Sequence, residues 1–390
     1  MPIRTVRDID PNGKRILVRV DFNVPLENGR ITDDTRMLSA LPTLKYLLDR
    51  GASLIVMSHL GRPKGQVKPE LSLSLLKEHL AEITGARVVM APDVIGNGVI
   101  ALAKELKAGE ILLLENTRFY REETDNSAEF CSELAKLGDM YINDAFGTAH
   151  RAHASTEGIA KLLPSAAGLL MERECKFLDK LLDNPPSPFV AIIGGAKVSS
   201  KITVLESLLA NVFIIAGGMA YTFLKAQSCQ VGNSLVETEY LSTAKSFLTN
   251  ARERGVEVLL PLDHVVASEF SAHARAERVD DVNVPEGKIA MDIGPKTVLA
   301  IDRLITGAKM IVWNGPMGVF EFEAFAGGTL EVAKMLAKCD GTTIVGGGDS
   351  VAAINKFNLA DSIDHVSTGG GASLEYIEGR ALPGVSVLKE

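Results

Sequence analysis

Short apolar strands that run straight into glycine-rich or polar turns are the feature that most restricts the fold of this chain. The clearest example is the segment 342–353, TTIVGGGDSVAA, in which a β-branched run precedes three glycines and the start of a helix. The run predicts a buried strand, and the glycines permit a sharp bend and the close approach of a ligand. We expect Asp349 or Ser350 to cap a helix whose N-terminus could bind phosphate. For a single loop of this kind, an ordinary capped turn is the alternative.

Similar strands alternate with helical patterns along the whole chain, which predicts parallel, doubly wound α/β sheets. Strands are expected within 15–24, 53–57, 88–90, 110–115, 141–142, 189–195, 212–218, 256–266, 310–315, 342–348 and 365–371. With 390 residues, two domains are more natural than one core. A helix is expected over 166–184, where Pro185 and Pro186 stop it close to the chain midpoint. We therefore place the domain connection there.

Composition excludes several classes of protein. The net charge of −8 argues against nucleic acid as a bulk partner. The first residues lack the apolar core of a signal peptide, and no apolar run reaches the roughly 18 residues of a membrane-spanning helix. The four cysteines are far apart in the sequence and form no CxxC pair, so we expect reduced thiols, a cytoplasmic location and no zinc site.

In the first half of the chain, arginine and histidine gather where predicted strands end. In open α/β sheets, ligands sit outside the carboxyl ends of the strands, and guanidinium groups suit phosphate and carboxylate. This pattern favours a site for a small, multiply charged anion over a set of solvated charges and ion pairs. The residues concerned are Asp21, Asn23, Arg36, His59, Arg62, Arg118, His150, Arg151 and His153.

In the second half, glycines take the place of the arginines. Gly194 and Gly195 precede Lys197 and Lys201, which are four residues apart and are expected to share a helical face. Four further glycine-rich loops also follow predicted strands, at 217–219, 314–318, 346–350 and 368–371. Backbone amides, lysines and an aspartate for Mg²⁺ are typical of a nucleotide polyphosphate site.

The usual nucleotide signatures are missing. Neither Gly-Lys pair has a glycine five residues before it, so there is no Walker A loop. The segment 96–101 matches GxGxxA but does not follow a clean strand, so we interpret the match as fortuitous. The protein-kinase motifs are absent too. A dehydrogenase, which needs GxGxxG at its first strand, is therefore disfavoured.

Taken together, these motifs resemble those of the phosphoglycerate kinase family, in the family's order and over nearly the full length. The matching strings are RVDFNVP (19–25), SHLGRP (58–63), ENTRF (115–119), NDAFGTAHRAHAS (143–155), GGAKV (194–198), GGMAYTFL (217–224), WNGPMGVFE (313–321), VGGGDS (345–350) and HVSTGGGASLE (365–375). Ser200 stands where some members carry an acidic residue, at a position that varies.

The resemblance implies a fold of two Rossmann-like domains joined by a helix, with a deep interdomain cleft. It implies an N-terminal domain over 1–165, a connecting helix and hinge over 166–184, and a nucleotide-binding domain over 185–374. Residues from about 375 to 390 would pack back onto the N-terminal domain. It also implies a monomer that binds small molecules, with neither nucleic acid nor membrane as a partner.

The implied reaction is the reversible conversion of 1,3-bisphosphoglycerate and ADP to 3-phosphoglycerate and ATP, with Mg²⁺. By resemblance, the residues that bind 3-phosphoglycerate are Asp21, Asn23, Arg36, His59, Arg62, Arg118 and Arg151. Those that bind the nucleotide are Lys197, Lys201, Gly218, Asn314, Glu321, Gly347, Gly348, Asp349 and Ser350, with Asp349 also on the metal. Charge stabilisation would come from Arg36, Lys197 and the amides near Gly347 and Gly371.

The implied chemistry needs no general base, since the acceptor carboxylate is already ionised at pH 7. His59 is therefore interpreted as a substrate ligand, and domain closure would align the reactants and exclude water. An inert binding protein on the same fold is the remaining alternative. It predicts loss of Arg36, Lys197 or Asp349, and all three are present.

Overall fold

A computed structural model describes residues 3–389. Its described part divides into two compact units. The first unit contains the residues up to Lys176 together with those from Arg380 onward, and the second is Phe177–Gly379. Each unit is built around one six-stranded parallel sheet, so the predicted parallel α/β architecture is confirmed.

The described part of the first unit contains eight strands, five complete helices, the first half of a sixth and a short helix near the C-terminus. The strands are β1 (Arg15–Arg19), β2 (Leu26–Glu27), β3 (Arg30–Ile31), β4 (Ser53–Met57), β5 (Val88–Met90), β6 (Ile111–Leu113), β7 (Met140–Asn143) and β8 (Ser165–Ala167). The helices are α1 (Thr35–Leu48), α2 (Lys77–Thr84), α3 (Asn97–Glu105), α4 (Arg121–Thr124), α5 (Ala128–Ala135) and α6 (Leu169–Leu182), of which α6 continues into the second unit.

The first sheet has the order β5-β6-β4-β1-β7-β8, and β2 and β3 form a separate hairpin. Strand β1 lies at its centre, paired in parallel with β4 and β7. Ile16, Leu17 and Val18 are fully buried. A parallel strand that is covered on both faces needs such an uninterrupted apolar run, which is why it could be recognised in the sequence.

The second unit contains nine strands and seven complete helices. The strands are β9 (Phe189–Ile193), β10 (Val212–Ile215), β11 (Glu257–Leu259), β12 (His264–Ala267), β13 (Glu277–Val279), β14 (Ile289–Ile293), β15 (Met310–Asn314), β16 (Thr342–Gly346) and β17 (His365–Val366). The helices are α7 (Ile202–Ser207), α8 (Ala220–Ala226), α9 (Leu241–Glu253), α10 (Pro295–Ile305), α11 (Gly327–Leu336), α12 (Gly348–Lys356) and α13 (Gly371–Ile377).

The second parallel sheet has the order β11-β10-β9-β15-β16-β17, the strand order of a dinucleotide-binding fold. Its direction of winding reverses between β9 and β15, which are hydrogen-bonded neighbours. A crevice for a ligand is expected at such a switch point. Lys197 follows β9 and Asn314 ends β15, so both residues belong to this crevice.

One prediction of a single strand over 256–266 is wrong. That segment is divided between β11 and β12, and β12 leaves the parallel sheet to form a three-stranded antiparallel sheet with β13 and β14. Pro261 lies between the two strands and has no backbone N–H, so it cannot continue a hydrogen-bonded ladder.

The helix predicted over 166–184 begins three residues later and ends two residues earlier, as α6. Residues Ser165–Ala167 form the edge strand β8, which pairs with β7. Side chains from elsewhere set the start of the helix: Asp144 Oδ1 accepts from the amides of Leu170 and Met171, at 2.9 and 3.2 Å. Thr43 Oγ1 accepts from the amide of Leu169 at 2.8 Å. The division between the units falls inside α6, after Lys176.

The C-terminal segment returns to the first unit from Arg380 onward, whereas 375–379 stay with the second unit. The short helix α14 (Pro383–Ser386) is held there by two hydrogen bonds of Gly384. Its amide donates to the Ala149 carbonyl at 2.9 Å, and its carbonyl accepts from Asn143 Nδ2 at 3.1 Å. None of the described helices has the length and apolar character needed to cross a membrane.

Candidate functional site

The arginine and histidine residues of the first unit come together at the carboxyl ends of β1 and β4. Arg36 Nη1, on α1, donates to Asp21 Oδ2 at 2.7 Å. His59 Nδ1 lies 3.7 Å from Asp21 Oδ1, too far for a hydrogen bond. We use the name basic cluster for the seven residues that the resemblance assigns to substrate binding: Asp21, Asn23, Arg36, His59, Arg62, Arg118 and Arg151.

Asn23 and Arg118 hold the turn that precedes Arg62. Asn23 Oδ1 accepts from the amide of Gly61 at 2.8 Å, and Arg118 Nη1 donates to the Gly61 carbonyl at 3.1 Å. Arg62 itself is exposed. Arg62 thus follows a turn that two residues of the cluster hold in place, and its side chain is open to solvent.

Arg118 is buried, and its Nε has no hydrogen-bond partner in the described part of the chain. Burial, with the charges of Arg19 and Arg151, lowers its pKa to about 10. The guanidinium is therefore still protonated at neutral pH. A buried N–H without a partner costs free energy, and an anion would satisfy it. Arg151 Nε donates to His150 Nε2 at 3.1 Å.

Arg19 belongs to the same site but was not among the predicted residues. It is fully buried. Its Nε donates to Ser155 Oγ at 2.7 Å, and its Nη2 lies 3.1 Å from His59 Nδ1. Ser155 Oγ donates to Glu123 Oε1 at 2.6 Å. The available signal was an arginine inside an otherwise apolar, doubly covered strand, which has to be paired.

These contacts settle the state of His59. An arginine can only donate, so Nδ1 of His59 accepts and the ring proton is on Nε2. Burial, followed by the charges of Arg19 and Arg118, holds its pKa well below the ordinary value. His59 is therefore a neutral hydrogen-bond donor at neutral pH, and a poor general base.

Two adjoining cavities lie at the carboxyl end of the second parallel sheet, and they share Gly195, Ala196 and Asp349. The polar cavity has a volume of about 570 Å³. It is lined by predicted site residues: Lys197, Lys201, Asn314, Gly347, Gly348, Asp349, Ser350 and Gly371. The apolar cavity, of about 280 Å³, is lined by Gly218, Glu321, Leu235, Phe270, Met291 and Val319 among others.

The expectation that Lys197 and Lys201 share one helical face is wrong. A single 3₁₀ turn, Val198–Ser200, separates them, and α7 begins only after Lys201. Lys197 is exposed, whereas Lys201 Nζ donates to Asn314 Oδ1. Burial lowers the pKa of Lys201. The two lysines therefore reach the polar cavity from different backbone conformations.

The expectation that Asp349 or Ser350 caps a helix is also wrong. The N-cap of α12 is Gly347, at φ +90°, and no side chain caps the first turn. Ser350 Oγ instead accepts from the amide of Gly315, which ties α12 to the loop after β15. Asp349 is exposed in the first turn and is one of the residues that line both cavities. The uncapped amides of α12 are thus left to bind an anion.

The described residues contain no group of three or more side chains able to enclose a metal ion. Asp349 is a carboxylate that lines both cavities, and Glu321 lines the apolar cavity. Mg²⁺ is commonly held by one or two carboxylates plus phosphate oxygens and water. The residues present therefore fit a metal that arrives with a nucleotide.

Known proteins resemble this chain over its whole length. The phosphoglycerate kinase family model matches residues 6–380. A phosphoglycerate kinase of Borrelia duttonii (strain Ly) is 58% identical, with 100% of both chains covered. The phosphoglycerate kinase structure from Coxiella burnetii superposes with a TM-score of 0.90 at 40% identity, covering 99% of each chain. That from Pyrococcus horikoshii OT3 has a TM-score of 0.85 at 32% identity, covering 99% of this chain and 98% of that one. With these matches added to the arginine-rich and glycine-rich strand ends, the chain belongs to the phosphoglycerate kinase family.

Proposed function

We propose that the two sites divide the reactants of the family's reaction between them. The protein is a phosphotransferase with a carboxyl group as acceptor. It interconverts 1,3-bisphosphoglycerate and ADP with 3-phosphoglycerate and ATP, a step of glycolysis and gluconeogenesis. The observation that carries the division is the contrast in lining: guanidinium groups in one unit, and lysines with glycine amides in the other.

The basic cluster is proposed to bind 3-phosphoglycerate. The phosphate and the carboxylate of this substrate are both anions, and Arg36, Arg62, Arg118 and Arg151 supply the forked guanidinium donors that suit both groups. The unpartnered Nε of Arg118 and the Nε2–H of neutral His59 add fixed donors. Asp21 holds Arg36 in place and can accept from the substrate hydroxyl.

The adjoining cavities are proposed to bind the nucleotide in one orientation. The apolar cavity, bordered by Gly218 and Glu321, suits the flat face of a base. The polar cavity suits the phosphates, which would meet Lys197, Lys201 and the amides of Gly347, Gly348 and Ser350. Asn314 orients Lys201.

Mg²⁺ is proposed to be held by Asp349 together with nucleotide oxygens. When bound, the ion neutralises charge on the phosphate groups. The exposed position of Asp349 in the first turn of α12 supports this assignment, since its carboxylate is not consumed by a helix cap.

Catalysis then depends on positioning and charge. The acceptor carboxylate is ionised at pH 7, so no group has to remove a proton. Arg36, Lys197 and the amides of Gly347 and Gly371 are proposed to stabilise the charge on the transferring phosphoryl group. Direct transfer requires the two bound reactants to meet in line, and hinge closure about α6 stays a prediction.

A coupled assay of ATP-dependent phosphorylation of 3-phosphoglycerate tests the proposal. Wild type is compared with Lys197→Ala and with Lys225→Ala, a lysine in the last turn of α8 that is exposed and borders neither cavity. We expect turnover to fall by about 10²-fold or more in Lys197→Ala and to be unchanged in Lys225→Ala.

A folded wild type that binds ADP but does not phosphorylate 3-phosphoglycerate would refute the proposed acceptor. Equal activity of Lys197→Ala and wild type would remove that lysine from the transfer step. A monomeric state, a cytoplasmic location and the lack of a nucleic-acid partner stay predictions from composition and resemblance.

A further inference from the structure

A buried carboxylate, Glu237, contacts the turn that carries the two lysines of the polar cavity. Glu237 precedes α9 and is only 9% exposed. Its Oε1 accepts from Ser199 Oγ at 2.6 Å, and its Oε2 accepts from the amide of Ser199 at 3.1 Å. Both carboxylate oxygens thus accept hydrogen bonds from one serine, which lies midway between Lys197 and Lys201 in the sequence.

The turn 197–201 has other restraints at its two sides, among them the hydrogen bond from Lys201 Nζ to Asn314 Oδ1. Val198 is fully buried and anchors one side, and the amide of Lys201 donates to the Val198 carbonyl at 2.9 Å. Lys197 has extended backbone and no side-chain cap. Ser200 Oγ donates back to the Lys197 carbonyl at 2.9 Å, within the turn itself. The contact with Glu237 is therefore the long-range polar restraint on the middle of this turn, across 38 residues of sequence.

The segment 234–237, which contains Glu237, also borders the apolar cavity. Leu235 lines that cavity, and Ser234 Oγ accepts from the amide of Ala290 on β14 at 3.0 Å. The amide of Glu237 donates to Thr222 Oγ1, on α8, at 3.1 Å. We call 234–237 the bridging segment, because it contacts the walls of the apolar cavity and the lysine turn of the polar cavity.

We propose that Glu237 is a positioning residue for the polyphosphate part of the nucleotide, acting through Ser199 on Lys197 and Lys201. This rests on the proposed nucleotide site. Glu237 is proposed to affect binding of the phosphates but not of the base. The turn that carries the lysines would contact the phosphates, whereas the base would lie against Leu235, at the other end of the bridging segment. Loss of Glu237 therefore weakens binding of nucleotides that carry a polyphosphate and leaves binding of the bare nucleoside nearly unchanged.

Isothermal titration with adenosine, ADP and ATP tests this selectivity in the full chain. In Glu237→Ala, we expect affinity for ATP and ADP to fall about tenfold, the effect of a lost charge-assisted hydrogen bond. Affinity for adenosine should change by less than about twofold. Leu235→Ala should instead lower the affinity for adenosine, ADP and ATP by the same factor, because all three contain the base. Glu239→Gln, two residues away and exposed, is the matched control.

Two further variants separate positioning from folding and from simple charge. Glu237→Gln keeps one acceptor for Ser199 and should recover most of the affinity for ATP. Ser199→Ala removes the hydroxyl contact and keeps the amide contact, so it should lower the affinity for ATP less than Glu237→Ala does. The double variant should be no weaker than Glu237→Ala, because both changes act on one pair of residues. Additive losses, equal loss of adenosine, or tighter binding of ATP to Glu237→Gln would each overturn the proposal.

Lys197→Ala and Lys201→Ala keep this test independent of the proposed function. If both lysine variants bind ATP as wild type does, the phosphate assignment of the polar cavity fails. If they lose affinity and Glu237→Ala does not, only the role of Glu237 fails.

Discussion

At the scale of single residues, the basic cluster contains four arginines and one carboxylate, Asp21, so most of its guanidinium donors remain available to a ligand. Asp21 is the carboxylate that pairs with Arg36, at 2.7 Å, and Arg36 remains partly exposed. Glu123 accepts from Ser155, which in turn accepts from Arg19. An incoming phosphate or carboxylate therefore finds guanidinium groups that are oriented but not neutralised.

Arg36→Ala tests this arrangement. We expect turnover to fall by about 10²- to 10³-fold, because a charge-stabilising donor is lost, while affinity for ADP stays within about twofold, because Arg36 lies in the other unit. Steady-state kinetics and ADP titration supply the two readings. The exposed Arg252→Ala on α9 is the control. Unchanged turnover would exclude Arg36 from the transfer step.

At the scale of elements, helix starts are made by backbone geometry or by distant side chains more often than by a local cap. Gly347 starts α12 at φ +90°, with its amide groups left open. Asp144 and Thr43 start α6 from two other parts of the first unit. These two starts have opposite consequences. The N-terminal amides of α12 stay available for a ligand, whereas those of α6 donate to Asp144 and Thr43.

Gly347→Ala should be more damaging than the same change one residue later. A side chain at φ +90° costs about 1–2 kcal/mol, and a Cβ there would lie 3.0 Å from Asn314 Oδ1. At Gly348, an added Cβ meets nothing within 4 Å. Thermal unfolding should show a lower Tm for Gly347→Ala than for Gly348→Ala. Equal melting temperatures would argue against a strained N-cap.

Asp144→Asn should stabilise the protein at alkaline pH. Burial raises the pKa of Asp144 to about 7, above the 3.8 of an exposed aspartate, so the folded form holds its proton more tightly. The contribution of the protonated carboxyl to the free energy of unfolding is fully present below pH 3.8. It is lost as the pH rises to about 7, at about 1.4 kcal/mol per pH unit. Asparagine cannot ionise, so the difference from wild type grows over that range.

Denaturant unfolding of wild type and Asp144→Asn at pH 5 and pH 8 measures the difference. We expect the asparagine variant to gain more at pH 8 than at pH 5. A variant that is less stable by the same amount at both values would show that Asp144 is ionised in the folded protein, as a carboxylate cap of α6.

At the scale of the whole molecule, the two parallel sheets offer different chemistry at equivalent edges. Asp21 follows the central strand β1 of the first sheet, and Lys197 follows β9 of the second, each next to the point where strand order reverses. The same architecture thus holds an arginine-rich site in one unit and a glycine-rich site in the other.

Hydrogen exchange with each ligand alone should separate these sites. We expect 3-phosphoglycerate to protect amides around 21–36, 58–62 and 118, and ADP with Mg²⁺ to protect 194–201 and 346–350. The reason is that each ligand would order the loops that contact it. Protection of the second set by 3-phosphoglycerate alone would contradict the proposed division of the substrates.

Sequence patterns alone predict the parallel α/β architecture and the two kinds of strand end. Both signals are local: apolar runs mark doubly covered strands, and the residues after each run carry its turn and its chemistry. Because parallel strands end at one edge, residues such as Asn23 and Arg118 could be grouped without coordinates. The family assignment, made from the same motifs, is confirmed.

The polar groups that hold the sites in place depend on contacts between distant parts of the chain. Arg19 and Ser155 are 136 residues apart, and Glu237 and Ser199 are 38 apart. The start of α6 depends on Asp144 and Thr43, so the local pattern overextended that helix into β8. Such pairs have no fixed spacing in the sequence, because the free energy of a buried hydrogen bond depends on which groups folding brings within about 3 Å.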